Sequence, residues 1–299
     1  MENTVNKFEK YLAYERRSSK MTIRAYQTDL NQLMIFLLER YEVKAWNAAE
    51  HSMIRSWIVD LMQKGLTNRT INRKLSSAKS FFKFCLRQGL LEKDPVAEIN
   101  ILKTSSRLPS FAHEAQMLDL DQSDLFTADF SGARDKALIF CIYGLGIRRA
   151  ELIGLRISSY DKERSVIRVL GKGNKERDVP VVPALKKIIG DYLSLYSSEF
   201  GYTLESPMFI LDSGLLIYPK FVYNVVSKYL STVSTLKKKG PHTLRHSFAT
   251  HLSNQGADIN ALKSLLGHSS LAATQIYTHN SIEKLREVYK QAHPRSKDS

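Results

Sequence analysis

Between residues 4 and 88 apolar side chains return every three or four positions: Phe8 and Leu12; Ile23, Tyr26, Leu30, Leu33 and Leu37; Ile54, Trp57, Ile58 and Leu61; Ile71, Leu75, Phe82 and Leu86. A helix that buries one face needs that period, so the stretch predicts four helices. Gly65 and Gly89 stand just past two of them, where a chain leaving a helix turns through the left-handed region. The period fails in "LLEKDPVAEINILKTSSRLPS", which carries Pro95, Ser105, Ser106 and Pro109 and suits an extended connector. The expected division is a helical domain over 1–99, a linker over 100–111 and a second domain over 112–299.

The second part opens helically in "SGARDKALIFCIYGLG" and then changes period. A β-branched run from Ser165 to Leu170 meets a Gly-rich turn and a second strand from about Arg177 to Val182, which reads as a hairpin with Lys172 at its tip. Helical spacing resumes in "PKFVYNVVSKYLSTV", "TLRHSFATHLSNQG", "DINALKSLLGH", "SLAATQIYTH" and "SIEKLREVYKQAH", each bounded by Gly, Pro, Asp or Ser. The predicted class is mainly α, with a small antiparallel sheet in the second domain.

Composition narrows the partners. Of 299 residues 43% are hydrophobic, enough for two cores of ordinary size. Lys and Arg number 44 against 30 Asp and Glu, a formal charge of +14 that favours polyanions. Nucleic acid comes ahead of an acidic membrane, because no run approaches the roughly 18 apolar residues of a spanning helix and the N-terminus has no apolar signal core. A cytoplasmic location is expected. Residues 1–107 hold 19 basic and 11 acidic side chains and the remainder 25 and 19, so both parts are basic. Two basic bodies on a flexible link suit a clamp around a duplex; a generally basic surface is the plainer alternative. Cys85 and Cys141 lie in apolar settings and read as buried free thiols rather than a disulfide or thiolate metal cluster.

The segment "HTLRHSFATHL", residues 242–252, carries the sharpest chemical question. His242 and His246 share a helical face, as in metal-binding helices. A metal needs a third ligand, however, and this helix offers no carboxylate, while Arg245 between the histidines repels a divalent ion. An anion uses the same residues well: Arg presents a donor fork to two oxygens, His adds a titratable donor, and "KKKGP" precedes a helix N-terminus. His246 and His251 read more simply as packed or solvent-facing side chains.

Two further stretches complete a constellation. "YGLGIRRAELIGLR" places Arg148 after a Gly-Leu-Gly-Ile turn, and "LLGHSSLAATQIYTHNS" places Tyr277 nine residues beyond His268. With Lys172, His242 and Arg245, these residues resemble the tyrosine recombinase (integrase) family of site-specific DNA recombinases. That family's pattern is an Arg before x-x-E-L, a hairpin Lys, H-x-x-R, G-H and a late Tyr. The resemblance covers nearly the whole chain. "KMTIRAYQTDLNQLMIFL" and "TNRTINRKLSSAKSFFKFCLRQGLLEKDPV" look like its core-binding domain, and "GKGNKERDVPVVP" and "YKQAHPR" are similar to the bacterial Xer recombinases. Arg149 rivals Arg148, which keeps the register with Glu151 and Leu152; Glu151 is expected to orient an arginine rather than to react.

The resemblance implies the phage-integrase catalytic fold and a reaction needing neither metal nor cofactor. Arg148 and Arg245 would clamp the scissile phosphate, and His268 would add a hydrogen bond. Tyr277 would attack, with His242 assisting its deprotonation, and Lys172 would protonate the departing 5′ oxygen. A 3′-phosphotyrosine and a four-way junction follow, worked by four protomers of this or a paralogous recombinase. The last helix would either pack into a neighbour or cap its own domain. The short chain, with no added arm-binding domain ahead of residue 1, suggests Xer-type chromosome dimer resolution, aided in many such systems by a DNA translocase. A compact mobile-element integrase is the near alternative. A non-catalytic regulator, with residues 243–268 as a helix-turn-helix about Gly256, and a metal-dependent nuclease are the rivals from other classes.

Overall fold

A computed structural model describes residues 1–104, 111–171 and 174–267. The chain divides into two compact units, Met1–Arg107 and Leu108–Ser299. Lys172, His268, Tyr277 and the last two helices expected from the sequence lie outside the described residues.

The first unit holds α1 (Glu2–Lys10), α2 (Lys20–Tyr41), α3 (His51–Gln63) and α4 (Asn68–Arg87). Helix α1 continues through a π-turn, Tyr11–Glu15. Ser19 and Thr67 cap α2 and α4 by accepting the Thr22 and Thr70 N–H, each satisfying a donor the helix leaves open. The four apolar stripes meet around Phe8, Trp57, Phe81 and Phe82, and Gly65 and Gly89 are both left-handed. One part of this core is ionic. Asp29, fully buried, accepts from Arg73, Lys74 and Ser77 across α2 and α4. An unpaired charge there would be costly, so these donors are what allow it.

The start of the connector is fastened down. Asn72 exchanges two hydrogen bonds with Leu102, donating at 2.8 Å and accepting at 2.9 Å, while Asn68 and Lys79 donate to the Lys103 and Ile99 carbonyls. Residues 99–103, expected to include the free start of the linker, therefore lie along α4.

The second unit contains α5 (Glu114–Gln122), α6 (Phe130–Leu145), α7 (Arg149–Ile153), β1 (Tyr160–Asp161), β2 (Val166–Leu170), β3 (Glu176–Pro180), α8 (Pro183–Glu199), α9 (Pro219–Val233), α10 (Pro241–Asn254) and α11 (Ile259–Leu265). Helix α6 is buried almost throughout and forms the axis against which α8, α9 and α10 pack. The sheet is antiparallel in the order β1-β2-β3, with Ile167 opposite Val179 and Val169 opposite Arg177. It has one strand more than the expected hairpin. Ser165, expected to open β2, instead turns through φ +52°, and β3 runs from Glu176 rather than Arg177. Cys85 and Cys141 are buried free thiols, as expected, and burial pushes the Cys85 thiol up to about 12.

Candidate phosphate-binding site

Three arginines converge on one carboxylate and on the carbonyl end of α11. Helix α6 ends at Gly146, whose φ of +59° reverses the chain before Arg148, the N-cap of α7. Glu151, one turn into α7, accepts the Arg148 backbone N–H at 2.8 Å, which locks the start of that helix. Its carboxylate also receives Arg148 Nη1 at 2.8 Å and both Arg177 Nη atoms at 3.2 and 2.8 Å, with Arg245 Nη1 3.8 Å away. Burial alone would raise the Glu151 carboxyl, but the Arg177 and Arg148 hydrogen bonds and the Arg177 charge outweigh it and hold the group below its usual range. Glu151 is therefore ionised and spent on orientation.

Carbonyls where the chain leaves α11 have no partner within the helix, and three in succession find a guanidinium. Leu265 O accepts from Arg177 Nε at 2.8 Å, Leu266 O from Arg245 Nη2 at 2.5 Å, and Gly267 O from Arg148 Nη2 at 3.0 Å. Arg245 reaches the other way to Gly146 O at 2.6 Å, so one side chain joins the ends of α6 and α11. Burial, and next the Arg148 charge, pull the Arg245 guanidinium down to about 10 against the opposing pull of Glu151; at neutral pH it is still a cation. The cluster holds three positive charges against one negative charge.

The residues predicted from the sequence divide as follows. Arg148, Glu151 and Arg245 come together, whereas Arg149 turns to the Pro219 carbonyl at 3.2 Å. His242 is exposed in the first turn of α10, three residues before Arg245 and thus on its side of the helix. His246 stands apart, edge-on to Phe111. Lys172, His268 and Tyr277 are not described, but Gly171 and Gly267, which precede the first two, both border the arginines. A Cβ on Gly171 would lie 3.5 Å from Arg177 Nη1, and one on Gly267 would lie 3.1 Å from that atom and 3.5 Å from Arg148 Nη1. The turn at Gly256 between α10 and α11 is present, but the end of α11 is engaged by the arginines.

Arg177 is the participant that sequence reasoning left as an ordinary strand residue. Period-two alternation places it on the face of Val179, opposite Val169, and both valines are fully buried. An arginine on the apolar face of a strand was the available signal.

Two predictions arise here. A methyl at Gly146 would sit 2.3 Å from Phe248 Cδ1 and require a left-handed alanine. Gly146→Ala should therefore cost about 2–3 kcal/mol in urea unfolding, from strain and overpacking together. His251, predicted to pack or face solvent, packs: it is buried, with Nδ1 2.9 Å from the Tyr143 hydroxyl. Burial lowers its pKa below the ordinary histidine value of 6.5, against an opposing pull from Glu114. The unfolded chain then takes up this proton first as pH falls. The stability that neutral His251 contributes is whole above pH 6.5 and is lost below it, so the melting temperature should fall between pH 7 and 5 with a slope that His251→Gln flattens.

The phage integrase family pattern matches residues 114–284, and the phage integrase N-terminal SAM-like domain matches residues 5–89. The tyrosine recombinase XerC of Thermodesulfovibrio yellowstonii is 35% identical over 302 residues, covering 98% of this chain and 97% of its own. XerC of Anoxybacillus flavithermus is 34% identical, covering 99% of this chain and 100% of its own. Among solved structures, XerH recombinase bound to its difH substrate in a post-cleavage complex superposes with a TM-score of 0.69 at 21% identity, over 95% of this chain and 83% of that one. The Tn1549 transposon integrase with a circular intermediate DNA gives 0.68 at 18% identity, over 95% and 98%. These two share the fold. No described helix is long and apolar enough to cross a membrane. Sequence similarity to Xer recombinases over nearly the whole chain, on a fold that gathers three cations at one point, places the chain in the phage integrase family of tyrosine recombinases, among the Xer-type site-specific DNA recombinases.

Proposed function

We propose that Arg148 and Arg245 hold the scissile phosphate of the recombination site, in the role that divalent ions play in metal-dependent nucleases. The observation that carries this reading is the convergence of three guanidinium groups on a single carboxylate, which leaves the cluster with an excess of positive charge. Attack on a phosphodiester builds negative charge on its two non-bridging oxygens, and preorganised donors lower that barrier. Arg148, about one-third exposed, supplies the open face of the clamp; Arg245, nearly buried, supplies its floor.

The remaining roles are those that the resemblance to the tyrosine recombinase family implies for the matching positions of this chain. Lys172 protonates the 5′ leaving oxygen, His268 adds a hydrogen bond to the phosphate, and His242 assists loss of the phenol proton from Tyr277. The O–P bond to the 5′ oxygen breaks as the tyrosyl O–P bond forms. A diester is exchanged for a diester, and no nucleotide cofactor is consumed. Exchange of four strands, one active site per strand, calls for four protomers, of this chain or with a paralogue. The work assigned is chromosome dimer resolution in the cytoplasm, and the near full-length likeness to XerC proteins supports it over mobile-element integration.

The test is incubation of the protein, in chelator, with a nicked duplex carrying its site, so that cleavage releases a short strand and traps the intermediate. A covalent protein–DNA adduct is the expected result. Cleavage that requires a divalent ion would reject the reading.

A further inference from the structure

We propose that Arg177 is a positioning residue for strand cleavage: it balances the Glu151 charge so that Arg148 keeps its own for the phosphate, and it pins the β2–β3 hairpin to the end of α11. The inference rests on the phosphate-binding reading of this site.

Arg177 is an inward-facing strand residue, its side chain only 11% exposed, and among the described residues its donors go to two partners. Nε donates to Leu265 O, while Nη1 and Nη2 take the two oxygens of Glu151 separately. A planar fork is matched to that pair of acceptors; an ammonium, which is a point donor on a flexible stem, is not. Removing this guanidinium from water is offset only by partners of such quality, so the side chain is held in one orientation.

The charge arithmetic explains why a third arginine is needed. Glu151 locks the start of α7 and orients Arg148, but a carboxylate beside a phosphate clamp repels the phosphate. With Arg148 and Arg245 alone around Glu151 the cluster would carry one net positive charge, and Arg148, bonded directly to the carboxylate, would be largely neutralised by it. With Arg177 bound to both oxygens of Glu151 the net charge is two, and the one-third-exposed Arg148 keeps its own for the phosphate. Arg177 itself has little access to a ligand, so it acts through Glu151 rather than on the substrate.

Geometry gives the second half of the role. Arg177 sits in β3 one residue from the turn that joins it to β2, and bonds the Leu265 carbonyl at the end of α11. A Cβ on Gly267 would come within 3.1 Å of its Nη1, so the contact between hairpin and α11 closes over a residue with no side chain.

The experiment uses the full chain and single-turnover cleavage of the nicked duplex, with DNA binding and thermal melting measured in parallel. Groups that orient a ligand-holding side chain are typically worth about 10–100-fold, so Arg177→Ala is expected to bind DNA nearly as the wild type does and to cleave it slower by that factor. Arg177→Lys should recover only part of the loss. The decisive comparison is Arg177→Ala with and without Glu151→Gln. Removing the unbalanced carboxylate should raise the cleavage rate about tenfold above that of Arg177→Ala alone, an outcome that a purely structural tie does not produce. Wild-type cleavage by Arg177→Ala, or a double variant no faster than the single one, overturns the proposal. Should Arg177→Ala melt below the assay temperature, Arg177→Gln replaces it, and equal rates with and without Glu151→Gln overturn the proposal in the same way. Failure of the wild-type protein itself to form an adduct would instead strike the phosphate-binding reading.

Discussion

Tyr277→Phe is expected to form no covalent adduct with the nicked duplex, while binding to the same duplex stays within about twofold of the wild type. The substitution removes one oxygen and keeps the ring, so folding and the DNA-facing surface should change little. What it removes is the oxygen proposed to attack. A free phenol has a pKa near 10, so about one molecule in a thousand is ionised at pH 7, and in the proposed mechanism the cation cluster favours that fraction. Five other tyrosines of the second unit are poor substitutes. Burial pushes the hydroxyls of Tyr143, Tyr160, Tyr192, Tyr196 and Tyr229 upward, away from the phenolate, and Tyr143 is engaged with His251. Denaturing gel electrophoresis of the labelled strand reads the outcome directly. An adduct of undiminished yield in Tyr277→Phe would reject Tyr277 as the nucleophile.

The parts of this molecule that were legible in the sequence are those where one physical demand acts alone. The four N-terminal helices follow from apolar period, because each buries one stripe against the others. Helix α8 carries an equally plain pattern, Leu185, Ile188, Ile189, Tyr192 and Leu193, yet it is missed from the sequence: the expected strand ends at Val182, the N-cap of α8, and helical spacing is read again only from Pro219. Strand β1 has two residues, too few to show alternation, and exists because Tyr160 and Asp161 find Ile167 and Val166. The buried ion cluster of Asp29 and Lys74 was invisible for another reason. A charge within an apolar stripe shows its meaning only when the partner helix is known, and the partners lie 44 to 48 residues away.

The site divides along the same line. Motif spacing nominated Arg148 and Arg245, and Glu151 was expected to orient an arginine, which its four hydrogen bonds at the cluster now describe. No spacing rule reports that the carbonyls of Leu265, Leu266 and Gly267, at and just past the end of α11, each take a guanidinium, since that depends on three elements meeting in space. Arg177 belongs to that category, and only its inward register gave a hint. The same arrangement explains why a seven-residue helix can hold a fixed place: orphan acceptors and the negative end of its dipole face three cations.

Arg245→Lys should be almost as damaging to cleavage as Arg245→Ala, each lowering the single-turnover rate by about 10² to 10³, the usual loss for one donor to a developing oxyanion. The reason is geometric. Arg245 uses Nη1 on Gly146 O and Nη2 on Leu266 O, and so fixes the turn before Arg148 and the end of α11 with one rigid plane. An ammonium keeps the charge, but it cannot span both carbonyls in that plane and still face a phosphate. Stability should separate the two variants. Alanine strands two buried carbonyls, at about 1–3 kcal/mol for an unsatisfied group, whereas lysine still satisfies one of them. Urea unfolding should therefore rank the wild type above Arg245→Lys and Arg245→Ala lowest, while cleavage groups the two variants together. A lysine variant that cleaves within threefold of the wild type would mean that charge alone suffices and that the planar fork at this position is dispensable.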